Sequence, residues 1–295
     1  MSGPAAAVLA ELKTSALVAA AVAAALGEER AATPAEALAV DPRRAAVLRS
    51  LPDPEALLAE LWADRRSRAH HLVSSLTQAA TAARGATGTW ADSSDEVIVA
   101  QGRSSALMAR VMLNDIAPLY GALASGSESR MLDVGTGIGA IATAIARAVP
   151  DARVVGIDIA ERPLELGAEL LAEEDAAVAG RVELRLQDVT ALDETAAYDV
   201  VWMPMPFLPD AIAAPALDRA TAALREGGLL VLGAHPDEPD PRVKAANDWL
   251  ASLTGGGTLA ASAVVEELER RGFDRVERFA TVPGGPVVVA GVRPA

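Results

Sequence analysis

The stretch Met131-Leu132-Asp133-Val134-Gly135-Thr136-Gly137-Ile138-Gly139 constrains this chain more than any other. An apolar run leads into glycines at alternate positions, and Ala140-Ile141-Ala142 continues with helical composition. That order reads as a strand, a tight turn and the start of a helix. Glycine is needed where a backbone turns sharply or lies against a ligand, and the helix start that follows offers unpaired N–H groups. A strand and helix joined this way form the first half of a βαβ unit. They predict a parallel α/β sheet with a ligand at the carboxyl ends of its strands. A turn that holds no ligand is the plain alternative.

The chain from Arg130 onward agrees with that reading. Short apolar runs predict strands over Arg130–Val134, Arg153–Ile159, Val182–Val189, Tyr198–Met203 and Gly228–Gly233, with helices such as Ile138–Val149 and Arg162–Ala179 between them. The ending differs. Arg275–Val282 and Val287–Arg293 are joined only by Pro283-Gly284-Gly285-Pro286, too short for a crossover helix, so they form an antiparallel hairpin.

The glycines do not name the ligand, because Gly135-x-Gly137-x-x-Ala140 also satisfies the dinucleotide pattern. Asp133 argues against a dinucleotide. A carboxylate at the strand end would repel a pyrophosphate and attract the ammonium and sulfonium of S-adenosylmethionine. Asp158 closes the next strand, where an acidic group accepts both hydroxyls of a ribose, and fits either cofactor. The closing hairpin is unusual for a dehydrogenase.

Over residues 128 to 293 the sequence resembles the class I S-adenosylmethionine-dependent methyltransferases. The matching pieces are the glycine loop with Leu132-Asp133-Val134, then Gly156-Ile157-Asp158-Ile159, Leu186-Gln187-Asp188-Val189, Tyr198-Asp199-Val200-Val201-Trp202-Met203 and Leu224-Arg225-Glu226-Gly227-Gly228-Leu229. The resemblance implies an α/β, Rossmann-like seven-stranded sheet of order 3-2-1-4-5-7-6 with strand 7 antiparallel, and S-adenosylmethionine as cofactor. It implies that Asp133 lies near the methionine part and that Gly135, Gly137 and Gly139 lie along the cofactor backbone. Asp158 would hold the ribose, Ile159 would cover the adenine, and Asp188 with Val189 would approach the adenine edge. Met203, at the end of strand 4, joins this cofactor set. The bland readings stay open beside these: Asp133 as a cap of the loop, and Asp188 as a cap of the turn that follows it.

Methyl transfer is an in-line attack on an activated carbon, so the enzyme's work is alignment, with proton removal where the nucleophile needs it. In the resembling family the segment after strand 4 faces the methyl group. Relatives that methylate amino groups carry Asn/Asp-Pro-Pro-aromatic there. This chain has Pro204-Met205-Pro206-Phe207, which lacks the polar group and argues against nucleobase or glutamine N-methylation. Many small-molecule O-methyltransferases place a histidine just after this strand, and that is missing too. What remains is an apolar, proline-stiffened wall with Met205 and Phe207 as substrate contacts, or simply a core strand end. His235, after strand 5, is the candidate base, with a solvated loop histidine as the alternative. Asp237 and Asp240 beside it suggest an acidic loop facing water rather than a metal site, and none is expected. Gln101 and Arg103 are candidates to reach the cofactor carboxylate or the substrate. They share a segment that equally reads as a helix start capped by Ser104.

Residues 1–125 read as helical, a cap or dimerisation region preceding the cofactor-binding domain at 126–295. Pro34, Pro42, Pro52 and Pro54 punctuate the early helices, and longer ones are expected over Pro54–Arg84 and Ser104–Leu123. Breaks are expected at Gly85-Ala86-Thr87-Gly88-Thr89 and Ser125-Gly126-Ser127. Thr14–Leu26 is apolar, too short to cross a bilayer, and expected as a buried or interface helix. The helices from Thr33 to Leu51 faintly resemble the dimerisation helices of bacterial small-molecule O-methyltransferases.

Composition bounds the partners. The net charge of −14 and the absence of a dense basic run argue against nucleic acid and anionic membranes. The lack of cysteine excludes disulfides and thiolate chemistry. The expectation is a soluble, cytoplasmic methyltransferase of a small, hydrophobic molecule at oxygen or carbon, with a homodimer as its expected assembly. The rival readings are a cofactor-binding relative that performs cyclisation or rearrangement, a non-enzymatic scaffold or regulator, and a nicotinamide dehydrogenase.

Overall fold

The computed structural model describes residues 3–85, 94–123, 126, 128–253, 255–281 and 285–294. The expected breaks at residues 86–89, at Ser125 and Ser127, and the Pro283-Gly284 part of the last turn lie outside the described residues. Two compact units divide at residues 85 and 86.

The first unit is helical: α1 (Pro4–Leu26), α2 (Pro34–Val40), α3 (Pro42–Leu48), α4 (Pro54–Leu61) and α5 (Arg65–Ala83). Its early prolines are helix starts. Pro34, Pro42 and Pro54 each occupy the first helical turn, where their missing N–H costs nothing, and each follows a capping residue. Thr33 accepts from the Glu36 N–H at 3.2 Å, Asp41 from Arg43 and Arg44 at 2.8 and 3.1 Å, and Asp53 from Ala56 at 3.0 Å.

The single helix expected over Pro54–Arg84 is broken by a 3₁₀ turn at Trp62–Asp64. There the Trp62 indole donates to the Ala32 carbonyl at 3.1 Å. The Arg65 guanidinium lies 4.6 Å from the Trp62 ring centre and donates to the carbonyls of Leu26, Glu28 and Ala31. These anchors outweigh the local preference to stay helical. The core joins Val22, Ala25 and Leu26 of α1 to Leu48, Leu58 and Ala69. Only the last turns of α1 are buried, while Val8, Leu9, Leu12 and Leu17 are exposed. The helix also starts earlier than the apolar run at Thr14 suggests. At 23 residues it is long and apolar enough, by length and composition, to cross a membrane.

The second unit begins with α6 (Asp95–Val111), a π turn at Met112–Ile116 and α7 (Ala117–Tyr120). The α/β part follows: β1 (Ser129–Val134), α8 (Ala140–Ala148), β2 (Ala152–Asp158), α9 (Glu161–Ala172), α10 (Ala176–Ala179), β3 (Val182–Leu186), β4 (Tyr198–Pro204), α11 (Asp210–Ala223), β5 (Leu224–Ala234), α12 (Pro241–Leu253), α13 (Ala261–Arg270), β6 (Asp274–Ala280) and β7 (Val287–Val292). The seven strands lie in the order β3-β2-β1-β4-β5-β7-β6, with β7 antiparallel to both neighbours. That is the sheet the sequence predicts.

Alternate residues of each strand enter opposite layers. Leu132, Val134, Val201, Met203, Leu230 and Leu232 pack with residues of α11 and α13. Met131, Val154, Val200, Trp202 and Val231 pack with Met108, Val111, Met112 and Ile116. The helices after residue 94 therefore belong to the sheet's own core, whereas the sequence reading draws its boundary at 125. The helix expected to begin at Ser104 begins at Asp95, where Asp95 and Glu96 suit the positive end of the helix dipole. It does not run unbroken to Leu123. The Ala117 N–H reaches back to the Met112 carbonyl just before Pro118, and the helix ends at Gly121 with φ +67°.

Candidate functional site

The site is built from the carboxyl end of β1 outward. Gly135, Gly137 and Gly139 have φ of +66°, +55° and +71°, a region that L side chains enter only with strain. The N–H groups of Gly135 and Thr136 both donate to the Ile157 carbonyl on β2, at 2.9 and 3.0 Å. Thr136 rests against Gly156, where a Cβ would stand 2.5 Å from its Oγ1. Gly137 differs: a Cβ there would meet nothing within 4 Å, so this side of the turn is open.

Two carboxylates converge beneath the loop. Asp133 has no exposed surface. Its Oδ2 accepts from Thr136 Oγ1 at 2.7 Å, and its Oδ1 has no hydrogen-bond partner. Burial pushes the carboxyl up to about 7; the Thr136 bond and a bond from the Ala142 N–H oppose the shift, and the Asp158 charge adds to it. Asp158 accepts from the N–H of Gly137 and of Ala160, each at 2.9 Å. Burial raises its pKa as well, against those amide bonds.

The other expected cofactor residues are placed differently. Ile159, beside Asp158, is 72% exposed and free to lie against a flat ring. Asp188 caps the 3₁₀ turn Val189–Ala191, accepting from the Thr190 N–H and hydroxyl at 2.8 Å each, as the capping alternative describes. Val189 and Met203 are buried in the core under the sheet. Gly102 permits the tight approach that its place between Gln101 and Arg103 suggests, whereas Thr136, Gly156 and Gly167 also meet the loop without a sequence signal of that role beyond a glycine inside a helix at Gly167.

On the acceptor side, Pro204 ends β4 beside Gly135, its Cγ 3.6 Å from where a Cβ on that glycine would stand. Met205-Pro206-Phe207 forms a 3₁₀ turn in which Met205 is buried and Phe207 is 40% exposed. The loop after α12 clasps this turn. A Cβ on Gly256 would lie 2.2 Å from the Pro206 carbonyl oxygen, and one on Gly257 2.5 Å from that of Leu208. Asp210 completes the clasp by accepting from the Thr258 N–H and hydroxyl at 2.9 and 3.1 Å.

His235 is half-buried, with Nε2 3.0 Å from the Gly257 carbonyl. A carbonyl only accepts, so Nε2 carries the proton and Nδ1 is the remaining basic nitrogen. Asp237 turns away to Arg278 and the Ser262 N–H, and Asp240 caps α12 through the Arg242 N–H. Gln101 and Arg103 sit within α6 on either side of Gly102, with Arg103 exposed and Gln101 half-buried. His70 and His71 are exposed on α5.

Residues 131–228 match the family model described as a methyltransferase domain. Over these residues the chain is similar to a methyltransferase domain, and its sheet has the strand order that the sequence resemblance implies. The matched residues span the glycine loop through the start of β5. Among curated proteins the chain is similar to the release factor glutamine methyltransferase of Rhodopirellula baltica, 29% identical over 153 residues that cover 50% of this chain and 49% of that protein. It is also similar to the release factor glutamine methyltransferase of Deinococcus radiodurans, 32% identical over 134 residues, 45% of this chain and 44% of that one. The chain thus spans about half the length of these curated relatives.

Among solved structures, the apo form of the S-adenosylmethionine-dependent methyltransferase SibL shares the fold with a TM-score of 0.63 at 20% identity, covering 98% of this chain and 99% of that one. An O-methyltransferase family protein from Burkholderia thailandensis gives 0.62 at 16%, covering 100% and 99%.

Proposed function

We propose that this chain transfers a methyl group from S-adenosylmethionine to a small, apolar acceptor at oxygen or carbon. The observation that carries the reading is Asp133: a fully buried carboxylate with one unpartnered oxygen, beside an open glycine turn, in a methyltransferase domain. A buried carboxylate with one oxygen unpartnered is costly, and a cationic ligand supplies what that oxygen lacks. The ammonium and sulfonium of S-adenosylmethionine fit this donor set. A pyrophosphate would bring like charge towards both Asp133 and Asp158 and does not fit.

Asp158 uses one lone pair on each oxygen for Gly137 and Ala160, and the others suit the hydroxyls of a ribose. Ile159 offers the apolar surface for an adenine. When bound, the cofactor supplies a methyl carbon already activated by the sulfonium. The chain's own part is to hold that carbon and the acceptor in line and to keep water away.

The acceptor reading rests on Pro204-Met205-Pro206-Phe207, which presents apolar atoms and no amide-gripping side chain. This supports a small acceptor over a glutamine side chain, although the curated relatives are named glutamine methyltransferases. A net charge of −14 supports a small neutral acceptor over nucleic acid. His235 Nδ1 serves as base where the acceptor needs one. The same proposal places the protein in the cytoplasm.

Calorimetric titration with S-adenosylmethionine, S-adenosylhomocysteine and NADH tests the proposal. It is repeated on Asp158→Ala, with thermal melts because Asp158 also holds the loop. The sulfur nucleotides are expected to bind in the micromolar range, at least about tenfold more weakly in the folded variant, and NADH not at all. Absence of sulfur-nucleotide binding by folded protein would sink the reading. With binding established, product mass decides the reaction: a gained methyl supports transfer, and an unchanged or dehydrated product assigns cyclisation or rearrangement instead. A small apolar acceptor should outcompete a glutamine peptide.

A further inference from the structure

Two glycines that belong to neither the loop nor any turn meet at one residue of the loop. Gly102 is inside α6 and Gly167 inside α9. Each weakens its helix relative to alanine. Both face Ile138, the residue between Gly137 and Gly139. A Cβ on Gly102 would stand 2.3 Å from Ile138 Cγ1 and 2.4 Å from Cδ1, while one on Gly167 would stand 2.9 Å from both the carbonyl carbon and the oxygen of Ile138. The side chain of Ile138 therefore fills a notch in α6, and its peptide lies directly on the backbone of α9.

Ile138 has little room to yield. It is 5% exposed and packed with Ile98 of α6 and Leu166 of α9, and its β-branch restricts its rotamers. Arg162, near the start of α9, closes the pair of helices by reaching Asp95 at the start of α6 through two hydrogen bonds of 2.7 and 3.0 Å.

We infer that Gly102 and Gly167 are positioning residues for the cofactor loop, holding Ile138 so that the open Gly137 turn keeps the shape its ligand requires. The inference rests on the proposed cofactor site and adds to it two residues on other elements. The loop's anchors to β2, through the Ile157 carbonyl, Gly156 and the Asp158 carboxylate that takes the Gly137 N–H, hold it from Gly135 to Gly137. Beyond Gly137 it is fixed by the two helices, and a displacement there moves the Gly137 and Gly139 peptides together.

The test is a size exchange. Helix propensity alone predicts that Gly102→Ala stabilises the protein. The notch predicts the reverse for the ligand: S-adenosylhomocysteine binding about tenfold weaker in Gly102→Ala, while the chain stays folded. Ile138→Ala empties the notch and weakens binding as well. The double variant Gly102→Ala with Ile138→Ala returns part of the lost volume and is expected to bind more tightly than either single variant. That non-additivity would not arise from two independent losses of stability. Gly167→Ala meets backbone and is expected to be the most severe.

Hydrogen exchange of residues 135–139 gives a second readout that needs no ligand. The loop should exchange faster in both single variants and recover in the double. Unchanged binding and exchange in Gly102→Ala, or additive losses in the double variant, overturn the inference. Failure of the wild-type chain to bind the nucleotide strikes the proposed function, and the exchange measurement still decides this one.

Discussion

Asp133 is an aspartate placed where water cannot reach it, and its protonation links stability to pH. In the unfolded chain its carboxyl titrates near 3.9, whereas burial in the folded protein raises it to about 7. Between those values the folded state keeps a proton that the unfolded state has released, so stability falls as pH rises through the window. The raised pKa of Asp158 acts in the same direction. The ligand-free protein should therefore lose on the order of a few kcal/mol from pH 5 to pH 8, and Asp133→Asn should flatten the decline. Urea melts at several pH values check this, and equal slopes for the two proteins would refute it. A cationic ligand beside Asp133 favours the ionised form. Binding of S-adenosylmethionine near pH 6 should then release a proton, visible as a buffer-dependent calorimetric enthalpy.

At the scale of elements, the clasp between the Gly255–Thr258 loop and the turn after β4 holds the acceptor wall. Gly257→Ala places a methyl carbon 2.5 Å from the Leu208 carbonyl oxygen, which cannot move without the wall. It should cost about 2 kcal/mol in urea unfolding and distort acceptor use before cofactor binding. A stability loss without any change in acceptor KM would show that the clasp is only structural.

His235→Gln can replace the Nε2–H bond to Gly257, so its stability should match the wild type, while His235→Ala loses about 1 kcal/mol. Full activity in the folded glutamine variant would exclude His235 as the base.

The strands and the glycine loop were legible because each rests on local signals: apolar runs, glycines at fixed spacing and a joint too short for a crossover; the strand order followed from the family resemblance those motifs carry. The start of α6 was not. Val97-Ile98-Val99 lacks helix preference, and its place is set by packing against Ile138 and the sheet. The breaks at Trp62 and Met112 were equally hidden, since one depends on carbonyls some thirty or more residues away in sequence and the other on Pro118. At the site, Asp133 and Asp158 could be found from their positions at strand ends. The His235–Gly257 bond joins residues from separate loops, and no single-residue pattern announces it.

The whole molecule carries one feature that its own core does not explain. α1 is exposed from Pro4 to Leu17, with Val8, Leu9, Leu12 and Leu17 facing outward, and only its last turns enter the first unit's core. Exposed apolar residues gathered along a helix offer a surface for a partner. A second copy of the chain is the proposed cover, and a lipid bilayer is the alternative, since the helix is long and apolar enough to span one. Light scattering should give a mass of twice the chain's 30.2 kDa. Replacing Leu9 and Leu12 together by Glu should return it to the single-chain value, leaving cofactor binding intact. Wild-type protein that stays monomeric at high micromolar concentration would refute self-association, and flotation of that protein with lipid vesicles would assign the face to a membrane surface.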